Sequence, residues 1–246
     1  MKSSIYQTIL SNKKKGKKLF AVLVDPDKFS ADVILEANNS SVDFIFIGGS
    51  KVKNGNFPRC INTICKLTKI QLVIFPGSRE QISEKADAIL LLSLISGRNP
   101  DYLIGEHIRA ARQLKKSKLE IIPTGYILIG GGKKISTQSV TRTSPIKNSD
   151  KELVVSTAIA GELLGMKMIY LEAGSGAIKS LNTSIVKEVQ QHTSAPVIVG
   201  GGIDSPEKAI SLCQSGADMI VVGNAIEKDV TLVRKIAKAI HVLNKK

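Results

Sequence analysis

The 246-residue sequence contains no tryptophan, and aromatic residues make up only 4% of it. Platforms for stacking single-stranded nucleic acid are therefore scarce. Three cysteines (Cys60, Cys65, Cys213) are too few for a disulfide framework, and their spacing matches no zinc pattern. The apolar runs, such as residues 19–24 and 88–92, are all far too short to span a bilayer. The first twenty residues hold no apolar segment of signal-peptide length. These absences point to a cytoplasmic globular protein. Acidic residues are also in the minority, 21 against 35 basic, for a net charge of +14. Such a surplus suits nucleic acid, an anionic membrane surface or a phosphorylated substrate, or simply a solvated face. Part of it is local, in the "KKKGKK" run at residues 13–18 and at the C-terminus. No nucleic-acid-binding module or aromatic interleaving accompanies the charge, so no nucleic-acid partner is expected.

What the chain does contain is a repeated pattern. Eight apolar runs, at residues 19–24, 44–47, 72–75, 88–92, 119–122, 168–171, 196–199 and 218–222, are each read as followed by turn residues and then a helical pattern. Continuous apolar strands suit a parallel sheet covered on both faces. Eight of them alternating with helices predict an α/β fold, a single (β/α)8 TIM-type barrel spanning residues 1–246. Helix signals support it: Ser205 is a candidate N-cap, Pro206 stands at the first helical position, and Gly216 lies past the end. The spacing is uneven, with about a dozen residues between the third and fourth runs and a long gap after the fifth. Residues 130–150 are polar, rich in Gly, Ser and Thr, and without a clear period. A loop of that length after strand five predicts an active-site cover.

In such barrels the chemistry sits at the C-terminal ends of the strands. The first run ends in "DPDK", the second in "GGS", the fifth in the turn residues "PTGY", the sixth in "EAGSGA", the seventh in "GGGI" and the eighth in "GNAI". The last three supply glycine amides where this fold commonly binds phosphate, and a helix expected from Asn224 adds its positive end. Pro26 restricts Asp25 to an extended conformation that can aim its carboxylate over the mouth. Magnesium takes one or two carboxylates, water and substrate phosphates, and Ser50 could add a hydroxyl. The three histidines (His107, His192, His241) fall on helical patterns away from the mouth and are read as structural, and Cys213 as core.

Taken together, "VDPDK", "GGS", "YLEAGSGA", "VGGGI" and "VGNAI" resemble the geranylgeranylglyceryl phosphate synthase family, in order from about residue 19 to 226. The resemblance implies a magnesium-dependent transfer of a prenyl group from a prenyl diphosphate, geranylgeranyl diphosphate by family, to sn-glycerol 1-phosphate. It makes Asp25 and Ser50 the metal ligands. It assigns glycerol phosphate to Tyr170, Leu171, Glu172, Ala173, Gly174, Ser175, Gly176, Gly201, Gly202, Gly223 and Asn224. Members occur as dimers or larger assemblies, so a homo-oligomer is implied. Some relatives carry a lysine two residues before the first aspartate; here that residue is Leu23. Within this reading Asp25 and Glu172 carry the catalysis, Glu172 as the group that orients the attacking hydroxyl and accepts its proton. Arg98 and Asn99 are candidates either for diphosphate contact or for loop support. A flavin-dependent barrel, which would use the same phosphate cradle, is the rival reading.

Overall fold

The computed structural model describes residues 4–50, 52, 56–130, 136–174 and 180–245. Its strands are β1 (Leu19–Val24), β2 (Phe44–Ile47), β3 (Gln71–Ile74), β4 (Ala88–Leu94), β5 (Glu120–Gly130), β6 (Ile146–Lys147), β7 (Met168–Glu172), β8 (Val197–Gly200) and β9 (Met219–Val222). Every pairing is parallel. Strand β1 pairs with β2 and β9, and β4 with β5, so eight strands close into a ring, with β6 attached to the end of β5. The expected barrel is present.

Alternation along each strand divides the apolar residues into two cores. Leu19, Ala21, Phe44, Phe46, Leu90, Met168 and Tyr170 fill the interior. Phe20, Val22, Ile45, Ile47, Ile169 and Leu171 pack outward against the helices. Burial on both faces is why the runs are continuously apolar.

The helices are α1 (Ile5–Lys14), α2 (Ala31–Asn39), α3 (Phe57–Leu67), α4 (Glu106–Lys116), α5 (Ser136–Thr141), α6 (Lys151–Leu163), α7 (Thr183–His192), α8 (Pro206–Gln214), α9 (Asn224–Lys228) and α10 (Thr231–Leu243). Helix α1 closes the bottom of the barrel with Ile5 and Ile9. Its N-terminus is held by Glu120, which accepts from the amides of Ile5 (2.6 Å) and Tyr6 (3.0 Å). A carboxylate there also opposes the helix dipole. Two residues of the basic run are structural rather than merely solvated. Lys13 donates to the buried Asp218 at 2.8 Å, and Lys18 stands 3.9 Å from the same carboxylate.

Three local expectations change. Strand five is not confined to residues 119–122: it runs to Gly130, so "PTGY" is strand and not loop. Residues 130–150 are not without regular structure, since they include α5 and β6; residues 131–135 lie outside the described set. Third, only a single turn, Arg79–Gln81, stands between β3 and β4 where a full helix would cover the barrel.

Candidate active site

Glu172 ends β7 and is buried at the barrel mouth. Its Oε1 accepts from the Gly174 amide at 2.6 Å, and the Tyr126 hydroxyl lies beside the carboxylate and favours its charged form. Burial outweighs both effects and pushes its carboxyl up to about 7. An acid so placed accepts a proton readily near neutrality.

The glycines after β8 pack around that acid. Gly201 has φ +85°, and a Cβ there would stand 2.4 Å from Oε1 of Glu172 and 2.7 Å from the Gly174 amide. No side chain fits, so the backbone itself forms the wall. Gly201, Gly202, Gly223 and Asn224 line one cleft of about 730 Å³ with Tyr170 and Glu172. Helix α9 begins at Asn224, as expected. Leu23 borders this cleft, and Lys228 is the only cation lining it among the described residues. The Tyr170 hydroxyl is fully buried and has no hydrogen-bond partner among the described residues. Leu171 and Ala173 send their side chains into the outer core, so what they offer the mouth is backbone. Ser175 and Gly176 lie outside the described residues.

A second cavity, of about 830 Å³, opens where the helix between β3 and β4 is missing. Leu90, Leu92, Ala110, Leu114 and Val140 make its walls apolar, while Ser50, Gly77, Ser78 and Arg79 form a polar end. Nothing in the sequence motifs marks this groove, because its walls come from β4, α4 and α5, far apart in the chain. Helix α5 lies over it, tied down by Asn99 Nδ2 donating to the Thr141 carbonyl (2.9 Å) and by the Tyr102 hydroxyl donating to Val140 (3.3 Å). Asn99 thus supports a loop, and Arg98 donates to the Gly97 carbonyl at 2.7 Å. His107 lines the groove, nearer the site than its helical pattern suggests, but its Nε2 is bonded to the Leu92 carbonyl at 2.8 Å. His192 is likewise bonded to the Glu188 carbonyl. Cys213 is core, its thiol pushed up to about 12 by burial.

Tyr126 belongs to both regions. It lines the groove, stands beside Glu172, and packs with Tyr170 (ring centroids 5.4 Å apart) and Phe75 (5.9 Å). The sequence signal was present in "PTGY" but was read as a turn.

Asp25 follows β1 in the expected extended conformation, with Oδ1 accepting from the Asp27 amide at 3.0 Å. A Cβ on Gly49 would stand 3.5 Å from that oxygen, so the carboxylate lies against the backbone just before Ser50. No cluster of three or more His, Cys, Asp or Glu side chains exists among the described residues. A donor set of one carboxylate and one hydroxyl fits magnesium, which leaves most positions to water and phosphate.

Comparison with known proteins agrees with this geometry. Residues 11–241 match the model of the PcrB family. A geranylgeranylglyceryl phosphate synthase from Chitinophaga pinensis is 46% identical over 98% of this chain and 97% of its own. One from Pyrococcus horikoshii is 38% identical, with 94% and 93% covered. The crystal structure of (S)-3-O-geranylgeranylglyceryl phosphate synthase from Thermoplasma acidophilum, in complex with its substrate sn-glycerol-1-phosphate, superposes with a TM-score of 0.90 at 32% identity, covering 97% of this chain and 98% of that one. A thiamine phosphate pyrophosphorylase from Pyrococcus furiosus, at 16% identity and a TM-score of 0.59, shares the fold alone. The chain belongs to the PcrB family, the family of geranylgeranylglyceryl phosphate synthases.

Proposed function

We propose that the protein transfers the prenyl group of a prenyl diphosphate, geranylgeranyl diphosphate by family, to the C3 hydroxyl of sn-glycerol 1-phosphate. The observation that carries this reading is the position of Glu172. It stands in the glycine-walled cleft beside the hydroxyl of Tyr126, which lines the apolar groove. The cleft suits a small phosphate ester: the backbone comes close at Gly201 and Gly223, and Lys228 adds charge. The groove suits an isoprenoid tail, each buried methylene of which is worth about 0.8 kcal/mol.

The chemistry follows from this arrangement. The bond between the allylic carbon and the diphosphate oxygen breaks, and the diphosphate departs with the electron pair. The glycerol oxygen bonds to that carbon, and its proton passes to the Glu172 carboxylate. With a carboxyl of about 7, Glu172 is substantially ionised at neutral pH and can take that proton. Tyr126, beside the acid, favours its ionised form. The buried Tyr170 hydroxyl, without a partner among the described residues, is available to a substrate oxygen.

Magnesium is part of the proposal. Asp25 and Ser50 would hold it, and the ion would neutralise charge on the leaving diphosphate. We also propose that the protein acts in the cytoplasm as a homo-oligomer, and that its basic surface meets an anionic membrane face where prenyl lipids partition. No helix among the described residues is long and apolar enough to cross a membrane. The test is a transfer assay with labelled glycerol 1-phosphate, prenyl diphosphates of several lengths, and magnesium or EDTA. Metal-dependent formation of the prenylglyceryl ether is expected. Failure to transfer any prenyl chain would overturn the reading.

A further inference from the structure

Behind the Asp25 site stands a side chain to which no part of the reaction has been assigned. Gln81, in the turn between β3 and β4, is 2% exposed. Its Nε2 donates to the Gly49 carbonyl at 2.8 Å, and its Oε1 accepts from the Gly49 amide at 3.2 Å. The backbone partners fix the orientation of the amide, since an N–H can only donate and a carbonyl only accept. The segment is confined further. A Cβ on Gly48 would stand 2.0 Å from the Phe75 carbonyl oxygen, and one on Gly77 would stand 2.1 Å from the Gly49 carbonyl oxygen and 2.8 Å from the Ser50 backbone. On the far side of Gly49 lies the Asp25 carboxylate. Residues 48–50 are thus clamped between the β3–β4 turn and Asp25.

We propose that Gln81 is a positioning residue: its amide holds Gly49 and Ser50 against Asp25, so that carboxylate and hydroxyl present a preset site to a divalent cation and the diphosphate it carries. This rests on the magnesium reading above. The physical reason is that magnesium tolerates little departure from octahedral geometry at about 2.1 Å. A glycine-rich segment cannot hold a ligand to about 0.5 Å by itself; it needs a rigid partner behind it. Where a helix is missing, this turn provides that partner. In the same turn, Ser78 and Arg79 face the polar end of the groove, so one element both braces the cation site and borders the diphosphate.

The test measures binding rather than turnover. Manganese, as a paramagnetic stand-in, is titrated by electron paramagnetic resonance in the presence of inorganic diphosphate, and glycerol 1-phosphate by calorimetry. Each protein is read at a temperature where its far-ultraviolet dichroism matches the wild type. Gln81→Met keeps length and apolar volume but removes both hydrogen bonds. It should weaken manganese–diphosphate binding about 10–100-fold, the usual effect of losing a residue that supports a ligand. Glycerol 1-phosphate affinity should not move, because its cleft lies across the mouth. Gly77→Ala pushes the same segment without touching Gln81, and it should repeat the pattern; it also serves if Gln81→Met does not fold. Normal manganese binding in either folded variant, with Asp25→Asn having lost it, would leave Gln81 a merely structural amide. Normal binding in Asp25→Asn would instead sink the metal reading itself.

Discussion

The hydroxyl of Tyr126 stands beside the carboxylate of Glu172 and favours its charged form, and the two residues line different cavities. One faces the apolar groove and the other the glycine-walled cleft. Adjacent strands bring them together: β5 and β7 pair Tyr126 with Tyr170 and Leu128 with Glu172. On the proposed function, the acid sits where an alcohol from the cleft would meet an allylic carbon from the groove.

Glu172 makes the reaction pH-dependent in a definite direction. Its carboxyl is raised from 4.5 to about 7 by burial, and the ionised form is the base, so turnover should rise as pH increases through about 7 and then level off. Glu172→Gln should cost roughly 10²–10⁴ in kcat and abolish that limb of the profile. Stability should move the opposite way. Between pH 4.5 and about 7 the folded protein binds this proton more tightly than the unfolded chain, so its stability falls as pH rises. The glutamine variant escapes that loss and should be more stable at pH 8, by no more than about 3 kcal/mol. Denaturant titrations at pH 5 and pH 8 check the sign.

Tyr170→Phe separates binding from folding. A buried hydroxyl lacking a partner costs about 1–3 kcal/mol, so the free protein should become more stable and melt a few degrees higher. If that hydroxyl serves the substrate, KM for glycerol phosphate should rise at the same time. A higher melting temperature with unchanged KM would assign the tyrosine to packing alone.

Asp25→Asn should nearly abolish transfer at any magnesium concentration, since a carboxamide lacks the charge that holds the ion beside a diphosphate. Ser50→Ala should be milder, because water can replace a neutral ligand. A magnesium titration of initial rates distinguishes the two, with circular dichroism confirming that both remain folded.

Lys228→Met should raise KM for glycerol phosphate about tenfold with kcat little changed, as expected when a charged contact to the phosphate is lost. Equal changes for both substrates would mean that Lys228 acts through the general field of the protein.

Ala110 is buried on the wall of the groove, one turn before Leu114. Ala110→Phe should fill the groove beyond that point and shift preference toward shorter prenyl diphosphates. Competition assays with paired chain lengths read this directly. An unaltered preference would place the tail elsewhere.

Much of this could be read along the chain. Residues buried on both faces of a barrel must be apolar in unbroken runs, so the eight strands announce themselves. Asp25, Glu172 and the glycines are legible because each follows a strand directly, and the end of a barrel strand is the mouth. Tyr126 was hidden for a physical reason. "PTGY" carries two turn residues, yet Thr124 and Gly125 pair with β4 on one side and β7 on the other, and this overrides local propensity. A Cβ on Gly125 would stand 2.8 Å from Cδ1 of Ile95, so that side chain would have to shift to admit one. Lys13 reads as one of five solvated lysines, and only the approach of Asp218, 205 positions away, makes it part of the base of the barrel. Gln81 has no motif at all. What singles it out is a pair of bonds to Gly49, 32 residues earlier, made from the short turn that stands where a helix is missing. The sequence by itself determined the strands and the chemistry at their ends. Which side chains face one another across the barrel mouth was decided only when the ring closed, because such contacts depend on register and shape and not on neighbours in the chain.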